Sequence, residues 1–261
     1  MAIYQDGVKV KGVYSDGVEV KRVFHDGELV FSSEPQYVTD GLIMHLDGHT
    51  TPSGNVWIDL SAEENHVTLN PAVTYDSTLK GYVFNGGQTG VSLKNLALPS
   101  GNFPFTMEMV FNIAFGPATS SYGMCWFGNA TSASNGRITA MHYYGDRRIV
   151  VNFTNTTIVN DARITFGKIG ASSFAKSSGD IGTFDYSFLV DGVKYPYTWL
   201  DSSGNMAIPN SPLTIGQGFP YNPPFRHMTG TIHSVRIYNR QLTLDEQKHN
   251  YSIDEKRFNI I

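Results

Sequence analysis

The sequence predicts an all-β fold, either an antiparallel sandwich or a barrel. Short segments rich in β-branched and aromatic residues recur along the chain, each bounded by Gly, Pro, Asn, Asp or Ser. The 26 glycines and the 13% of aromatic residues fit β-structure with many turns. The 261 residues suffice for one large β domain or two smaller ones. Many strands with almost no helix favour two packed sheets or a closed barrel.

A ten-residue repeat occupies residues 1–33. YQDG, YSDG and FHDG start at positions 4, 14 and 24, and Asp-Gly predicts hairpins because glycine accepts a positive φ. A two-residue loop would pair Val13 with Val20, whereas a three-residue loop would pair Tyr14 with Val18. We favour the longer loop, because a register shift of one residue moves a whole apolar set to the other face. One apolar face would then hold Tyr4, Val8, Val10, Tyr14, Val18, Val20, Phe24 and Val30.

Residues 1–33 are therefore predicted to form a small four-stranded β-meander with one apolar face. A segment of about thirty residues cannot bury such a face by itself. It either folds onto its own domain or serves as a docking or oligomerisation module, and we favour the second role. SSEPQ at residues 32–36 interrupts the repeat. We therefore expect a linker at residues 34–40 and a second domain over residues 41–261.

Irregularly spaced strand segments follow the linker. They lie at residues 42–46, 81–85, 106–111, 124–127, 138–144, 149–153, 184–190, 213–216 and 230–238. The one helix signal comes last, where Thr243 and Glu246 have the spacing of a capping box. This spacing predicts about two helical turns over residues 243–250.

Three stretches of the second domain carry a family pattern: GLIMHLDG at 41–48, WIDLSAEENHVTL at 57–69, and GTIHSVRIYNRQLTLDE at 230–246. They resemble the opening strand, the W-x-D-L-S-G-N-G-N-H-G-T-L segment, and the closing strand and helix of laminin-G-like domains. These domains belong to the concanavalin A-like jelly-roll superfamily. One departure is Ala62-Glu63-Glu64 in place of Gly-Asn-Gly. It argues against a tight glycine loop and against a metal site built on that loop.

The resemblance implies two antiparallel sheets packed face to face, with a core of alternating inward residues. In the closing strand two sets alternate, Ile232, Ser234, Arg236 and Tyr238 against His233, Val235, Ile237 and Asn239. Domains of this class mostly bind glycans or proteins, and some relatives are glycosidases. Less specifically, the Asp-Gly hairpin repeat resembles those of tail, fibre or other appendage proteins of bacteriophages.

The phage resemblance implies a location and partners. A virion protein is made in the host cytoplasm, and the start of this chain has no basic stretch followed by an apolar one, so no secretory signal is expected. We expect other virion proteins to bind residues 1–33, a host-surface glycan or protein to bind the jelly roll, and the chain to form a homo-oligomer. The net charge of −4 and the lack of a long apolar run argue against nucleic acid and membrane partners.

Common catalytic patterns are absent from the sequence. Glucanases on this fold use an E-x-D-x-x-E strand, and no Glu here has an Asp two residues later. Glu108 stands alone and is expected to be a polar residue on a strand face. The single cysteine, Cys125, cannot form an internal disulfide and is expected to be a small buried residue. We therefore expect that the chain is not an enzyme.

A calcium ion is the only cofactor that the resemblance allows for. Laminin-G-like domains sometimes hold one at the sandwich rim, and hard cations prefer oxygen ligands. The candidate ligands are Asp47, Asp59 and Asn65. His45, Asp47 and His49 also alternate along one strand segment, which would place three ligands, or three solvent-facing residues, on one side.

Glycan recognition needs aromatic side chains against sugar faces and polar groups for the hydroxyls. The richest stretch is GFPYNPPFRH at residues 218–227, which its prolines pre-order. The candidate ligand-binding residues are Trp126, Tyr143, Tyr144, Trp199, Tyr221, Asn222, Arg226 and His227.

The function predicted from sequence is a phage virion structural or adhesion protein. Its jelly roll would bind a host-surface glycan or protein without catalysis, and a glycosidase is disfavoured. One alternative is a bacterial cell-surface lectin or adhesin, which would be extracellular. Another is a purely architectural virion subunit.

Overall fold

A computed structural model describes seventeen stretches of the chain. They are residues 4–5, 8–9, 13–15, 18–20, 22–25, 28–32, 35–86, 90–93, 96, 103–114, 125–130, 137–142, 148–153, 156–178, 185–202, 213–216 and 227–261. The chain divides into two compact units, Met1–Val38 and Thr39–Ile261.

The first unit contains three antiparallel hairpins, one for each Asp-Gly copy. They are β1 (Tyr4–Gln5) with β2 (Val8–Lys9), β3 (Val13–Ser15) with β4 (Val18–Val20), and β5 (Arg22–His25) with β6 (Glu28–Ser32). In the part of this unit that the structure describes, the hairpins form three separate two-stranded sheets. The predicted four-stranded meander was therefore wrong.

The register of the hairpins corrects the predicted loop length. Ser15 pairs with Val18, so two residues separate the strands, and Tyr14 lies opposite Glu19. The other two hairpins have the same two-residue separation. Two-residue Asp-Gly loops match the twist of the flanking strands, and this local preference prevails where, among the described residues, each hairpin pairs only with itself. The shared apolar face was inferred from the longer loop and loses its premise, while the docking role stays a prediction.

The second unit contains seventeen strands and one helix among its described residues. The strands are β7 (Leu42–Asp47), β8 (Val56–Trp57), β9 (Val67–Thr68), β10 (Thr74–Asp76), β11 (Gly81–Asn85), β12 (Val91–Leu93), β13 (Phe105–Ile113), β14 (Cys125–Ala130), β15 (Arg137–His142), β16 (Arg148–Phe153), β17 (Thr156–Arg163), β18 (Ile169–Lys176), β19 (Tyr186–Val190), β20 (Val193–Lys194), β21 (Tyr197–Ser202), β22 (Leu213–Ile215) and β23 (Thr229–Tyr238). The helix is α1 (Leu244–Phe258).

Two antiparallel sheets form the body of this unit. The larger sheet has the order β10-β11-β23-β13-β18-β19-β20, with β7 also paired to β23, and the smaller sheet has the order β12-β22-β14-β15-β16-β17-β21. On the side away from β13, β23 pairs first with β11 and then with β7. The predicted all-β antiparallel sandwich is confirmed.

The inner faces of both sheets share one apolar core. Every second residue of β13 points into it: Phe105, Met107, Met109, Phe111 and Ile113. The smaller sheet contributes Val91, Leu93, Ile149, Val151, Ala162, Leu213 and Ile215. This is the alternation that a face-to-face sandwich requires.

Helix α1 covers the outer face of the larger sheet. Thr243 and Glu246 form the predicted capping box, but the helix continues to Phe258, well past the two predicted turns. Its inward side packs on Val110 and Ala171 through Phe258. This burial explains the added length, because an amphipathic helix gains most of its stability from tertiary packing. No helix in the described ranges is long and apolar enough to cross a membrane.

A β-bulge changes the predicted alternation of the closing strand. Ser234 pairs with Val110 and Ile232 with Phe111, so His233 is the extra residue. Beyond the bulge Ile232 joins Val235 in the core instead of sharing a face with Ser234. A bulge places two residues opposite one and shifts all that follow.

The loop after Trp57 stays tight without its glycines. Glu64, at the position of the family's second glycine, has the left-handed φ of 51°. Asp59 closes the loop, because its carboxylate accepts hydrogen bonds from the Asn65 and Ser61 amides and from the Ser61 hydroxyl. The sequence predicted that the loss of the glycines would open this loop, and that prediction was wrong.

Candidate functional site

A cavity of about 290 Å³ lies at the C-terminal end of α1, beside the larger sheet. Ligand sites in proteins typically have about 300–1,000 Å³, so this cavity can hold a small ligand or one residue of a larger one. Two other cavities in the described parts of the unit have only about 80 and 10 Å³. The polar residues that line the cavity at the end of α1 include His49, Lys80, Asn112, Thr231, His233 and Arg257.

The last turn of α1 supplies one wall of the cavity. Asn259 ends the helix in the left-handed conformation, and its N–H donates to the Glu255 carbonyl. This stop leaves Phe258 facing the sheet, where its ring centroid lies 5.2 Å from that of His49 and 5.8 Å from that of His233. Phe258 is thus an apolar wall between two imidazoles.

Arg257 is held in place by a buried carboxylate. Its Nη2 lies 2.9 Å from Oδ2 of Asp47, whose side chain is fully buried at the end of β7. The other oxygen of Asp47 accepts a hydrogen bond from the His49 amide, and His45 Nε2 lies 3.5 Å from Oδ2. Burial alone would raise the pKa of Asp47, but His45 and Arg257 hold it below its ordinary value. Asp47 is therefore a buried anion that positions Arg257.

His233 forms the floor of the cavity at the β23 bulge. Its Nδ1 lies 3.1 Å from the Lys80 carbonyl oxygen, which can only accept, so Nδ1 carries the hydrogen. Its Nε2 is then an acceptor, and it has no hydrogen-bond partner within the described ranges. Burial lowers the pKa of His233, so the ring is neutral near pH 7.

The lining of the cavity has one sign of charge. Lys80 and Arg257 are both exposed, whereas none of the described residues that line the cavity is Asp or Glu. The whole chain has a net charge of −4, so the cavity differs in sign from the protein around it. Concave sites with one sign of charge concentrate counter-ions of the other sign.

A buried polar row crosses the larger sheet beneath α1. Ser173, Glu108, Arg236 and His45 are cross-strand neighbours on β18, β13, β23 and β7. Glu108 lies on a face of β13, as predicted, but α1 covers that face. The residue is only 3% exposed.

The polar row binds α1 through charged hydrogen bonds. Arg236 donates to Glu108 Oε2 at 2.9 Å and, through two nitrogens, to both oxygens of Asp254 on α1. Asn250, one helical turn earlier, donates to Glu108 Oε2 at 2.8 Å. Burial and the charge of Asp254 raise the pKa of Glu108, against the effect of Arg236. The row therefore anchors the helix that ends at the cavity.

The predicted ligand-binding residues do not coincide with this cavity. Trp126 lies on β14 and Trp199 on β21, both in the smaller sheet. His227 is buried beside the larger sheet, and burial lowers its pKa. The remaining candidates lie outside the described residues: Tyr143, Tyr144, Tyr221, Asn222 and Arg226.

The three predicted calcium ligands have structural partners. Asp59 accepts hydrogen bonds from the amides of His45 and Asn65, Asn65 donates to the Ile43 carbonyl, and Asp47 pairs with Arg257. The described residues contain no group of three His, Cys, Asp or Glu side chains that could hold a metal ion. His45 and Asp47 are buried beneath α1, so they are not the solvent face of β7.

The sequence concealed the cavity for a simple reason. Its lining comes from the turn after β7, the turn before β11, strands β13, β18 and β23, and the end of α1. These segments are up to about two hundred positions apart in the chain. The one local signal was the resemblance over residues 230–246, which includes His233 but not Arg257, and the helix predicted over residues 243–250 also ended before Arg257.

The fold is similar to solved structures of carbohydrate-active and carbohydrate-binding proteins. A sialidase of Trypanosoma rangeli in complex with sialic acid aligns with a TM-score of 0.58 at 14% identity, over 92% of this chain and 36% of the sialidase. The ligand-binding domain of botulinum neurotoxin serotype D in complex with N-acetylneuraminic acid aligns with a TM-score of 0.58 at 11% identity, over 82% of this chain and 51% of that one.

This similarity shows the fold alone, because the identities are low. The chain spans about a third of the sialidase's length and about half of the toxin domain's length. No protein-family model and no curated protein matches the sequence. The laminin-G-like and phage resemblances stay sequence predictions.

The expectation that the chain is not an enzyme is contradicted. Several of the similar structures are sialidases, which are glycosidases. The missing carboxylate set of glucanases does not exclude a sialidase, because sialidases use a tyrosine nucleophile. The sialidases themselves are about three times as long as the aligned region.

Proposed function

We propose that residues 39–261 form a glycan-recognition domain and that one sugar residue of the ligand occupies the cavity at the end of α1. The observation that carries this proposal is the lining of that cavity. An apolar wall, Phe258, stands beside the amide of Asn112 and the hydroxyl of Thr231. Sugars present both apolar C–H faces and hydroxyls, so they need this mixture of groups.

The fold adds support of a different kind. Two proteins with the same architecture and otherwise different functions, a sialidase and a toxin binding domain, were both solved with a sialic acid bound. A fold does not define a function, so the proposal of glycan binding rests on the residues that line the cavity. We expect weak binding by one copy and strong binding by several, because arrayed sites gain affinity through effective concentration.

We also propose the biological setting that the sequence suggested. In this proposal the chain is a bacteriophage virion appendage, residues 1–33 attach it to other virion proteins or to further copies, and the second unit presents the glycan site to the host. Three Asp-Gly hairpins in succession support an assembly role, since hairpins of two strands are marginal by themselves. A comparison of the mass in solution of the full chain with that of residues 34–261 tests this proposal. A monomer in both cases rejects self-assembly.

A glycan array with the full chain tests the proposed function. Lys80→Ala changes the cavity rim, and Lys194→Ala on β20 removes the same charge from an exposed position that does not line the cavity. We expect Lys80→Ala to weaken binding while Lys194→Ala does not. Tyr221→Ala tests the loop at residues 218–227, which the sequence predicted as a glycan-binding site. Loss with Tyr221→Ala alone moves the site to that loop, and no binding to any glycan favours the architectural alternative.

A further inference from the structure

We propose that the cavity at the end of α1 selects an acidic glycan, whose carboxylate or sulfate group binds Lys80 and Arg257. This inference rests on the proposed function and adds the chemical class of the ligand. The charges of the cavity support it: both cations line one cavity, and no described lining residue is acidic.

Arg257 is prepared to bind an anion. Asp47 contacts its Nη2 at 2.9 Å, and its guanidinium carbon lies 5.9 Å from the centre of the Phe258 ring. These contacts hold the side chain in one place, so little further ordering is needed when a ligand arrives. A guanidinium has five N–H donors, and one ion pair leaves donors for a second oxyanion.

Three nearby features oppose an anion. The end of α1 carries roughly half a negative charge, Asp47 is a buried anion, and the Asp76 carboxylate accepts hydrogen bonds from the amides of Thr78 and Leu79, which line the cavity. Lys80 and Arg257 line the cavity itself, whereas neither Asp47 nor Asp76 is among its lining residues. Asp47 is fully buried behind Arg257, so a ligand meets the cations first.

The remaining lining suits the rest of a sugar ring. Asn112 and Thr231 are neighbours across β13 and β23, and both line the cavity. An amide and a hydroxyl can each donate and accept, which matches the alternating needs of sugar hydroxyls. His233 adds an imidazole at the floor.

The test compares acidic and neutral ligands on the intact protein. Amide NMR spectra of the full chain are recorded with glucuronate, with glucose 6-sulfate and with glucose, which share one ring. We expect the two acids to shift the signals of His49, Lys80 and Asn259, and glucose to shift them at least about tenfold less at equal concentration. The first two ligands distinguish a carboxylate from a sulfate. Equal shifts with glucose, or no shift with either acid, overturn the proposal.

Variants separate charge from shape. Lys80→Ala should weaken binding of the acid about tenfold, and Lys194→Ala should leave it within about twofold. Arg257→Lys keeps a cation opposite Asp47 and guards against misfolding. On the glycan array, binding to neutral glycans that Lys80→Ala weakens as much as binding to acidic ones would overturn acid selection while the proposed function stands. The absence of all glycan binding overturns both.

Discussion

Replacing Arg236 with Met should be among the most damaging single changes outside the apolar core. Arg236 is 1% exposed and lies between Glu108 and Asp254, which are both buried. Methionine fills most of the same volume but carries no charge. The substitution therefore leaves two buried carboxylates without their cation, Glu108 beneath α1 and Asp254 on α1.

The size of the effect follows from this arrangement. Removing one partner of a buried ion pair typically costs about 3–5 kcal/mol. Asn250 still donates to Glu108, and Glu108 can take up a proton because burial already raises its pKa. We therefore expect the free energy of unfolding to fall by about 3 kcal/mol, the lower end of that range. For a domain of this size the midpoint of thermal unfolding should fall by roughly 6–12 °C.

Urea denaturation followed by circular dichroism measures the change. Lys248→Gln is the matched control, because it removes one positive charge from an exposed position on α1, where substitutions usually change stability by less than about 0.5 kcal/mol. Adding Glu108→Gln and Asp254→Asn to Arg236→Met removes the stranded charges and should restore much of the loss. A loss below about 1 kcal/mol for Arg236→Met, or no recovery in the triple variant, would refute the anchoring role of the polar row.

Two further predictions concern stability. The pKa values of His45 and His233 lie below the ordinary 6.5 because both rings are buried. The unfolded chain then binds more protons, so their contribution is complete above pH 6.5 and is lost as the pH falls below it, by up to about 1.4 kcal/mol per pH unit for each ring. The raised pKa of Glu108 makes stability change with pH in the opposite direction, so variants are compared with the unchanged protein. His233→Gln should flatten the dependence of unfolding free energy on pH between 7.5 and 5.5, and the exposed His249→Gln should not. Glu64→Gly should stabilise the protein by about 0.5–1 kcal/mol in the same assay, because Glu64 has a left-handed φ. Glu63→Gly, at a residue without positive φ, should destabilise it, and equal effects of the two would contradict the role of the backbone conformation.

Local patterns in the sequence were enough for the elements that depend on neighbours in the chain. The capping box of Thr243 and Glu246 marked the start of α1 correctly. Strand β11 was predicted with its observed bounds, Gly81–Asn85. Strand β18 was not predicted, because IGASSFAK is covered on one side by the core and on the other by α1. A strand buried on both faces has no polar alternation to read.

The hairpin register shows where a correct local signal led to a wrong conclusion. The Asp-Gly turns were predicted correctly, but a three-residue loop was favoured because it would gather apolar residues on one face. That choice assumed a sheet of several strands, and the structure has separate hairpins there. In the described part of residues 1–33, where each hairpin pairs only with itself, the turn geometry sets the register.

By itself the sequence determined the class of fold and the ends of several elements, because turn residues, capping boxes and strand periodicity act over a few residues. Only the tertiary structure decided what Glu108, Asp47 and His233 do. Glu108 meets Arg236 across 128 positions of the chain, and Asp47 meets Arg257 across the whole second unit. Charge pairing and burial depend on distance in space, so the anchor of α1 and the cationic cavity at its end exist only once the sheet and helix have come together.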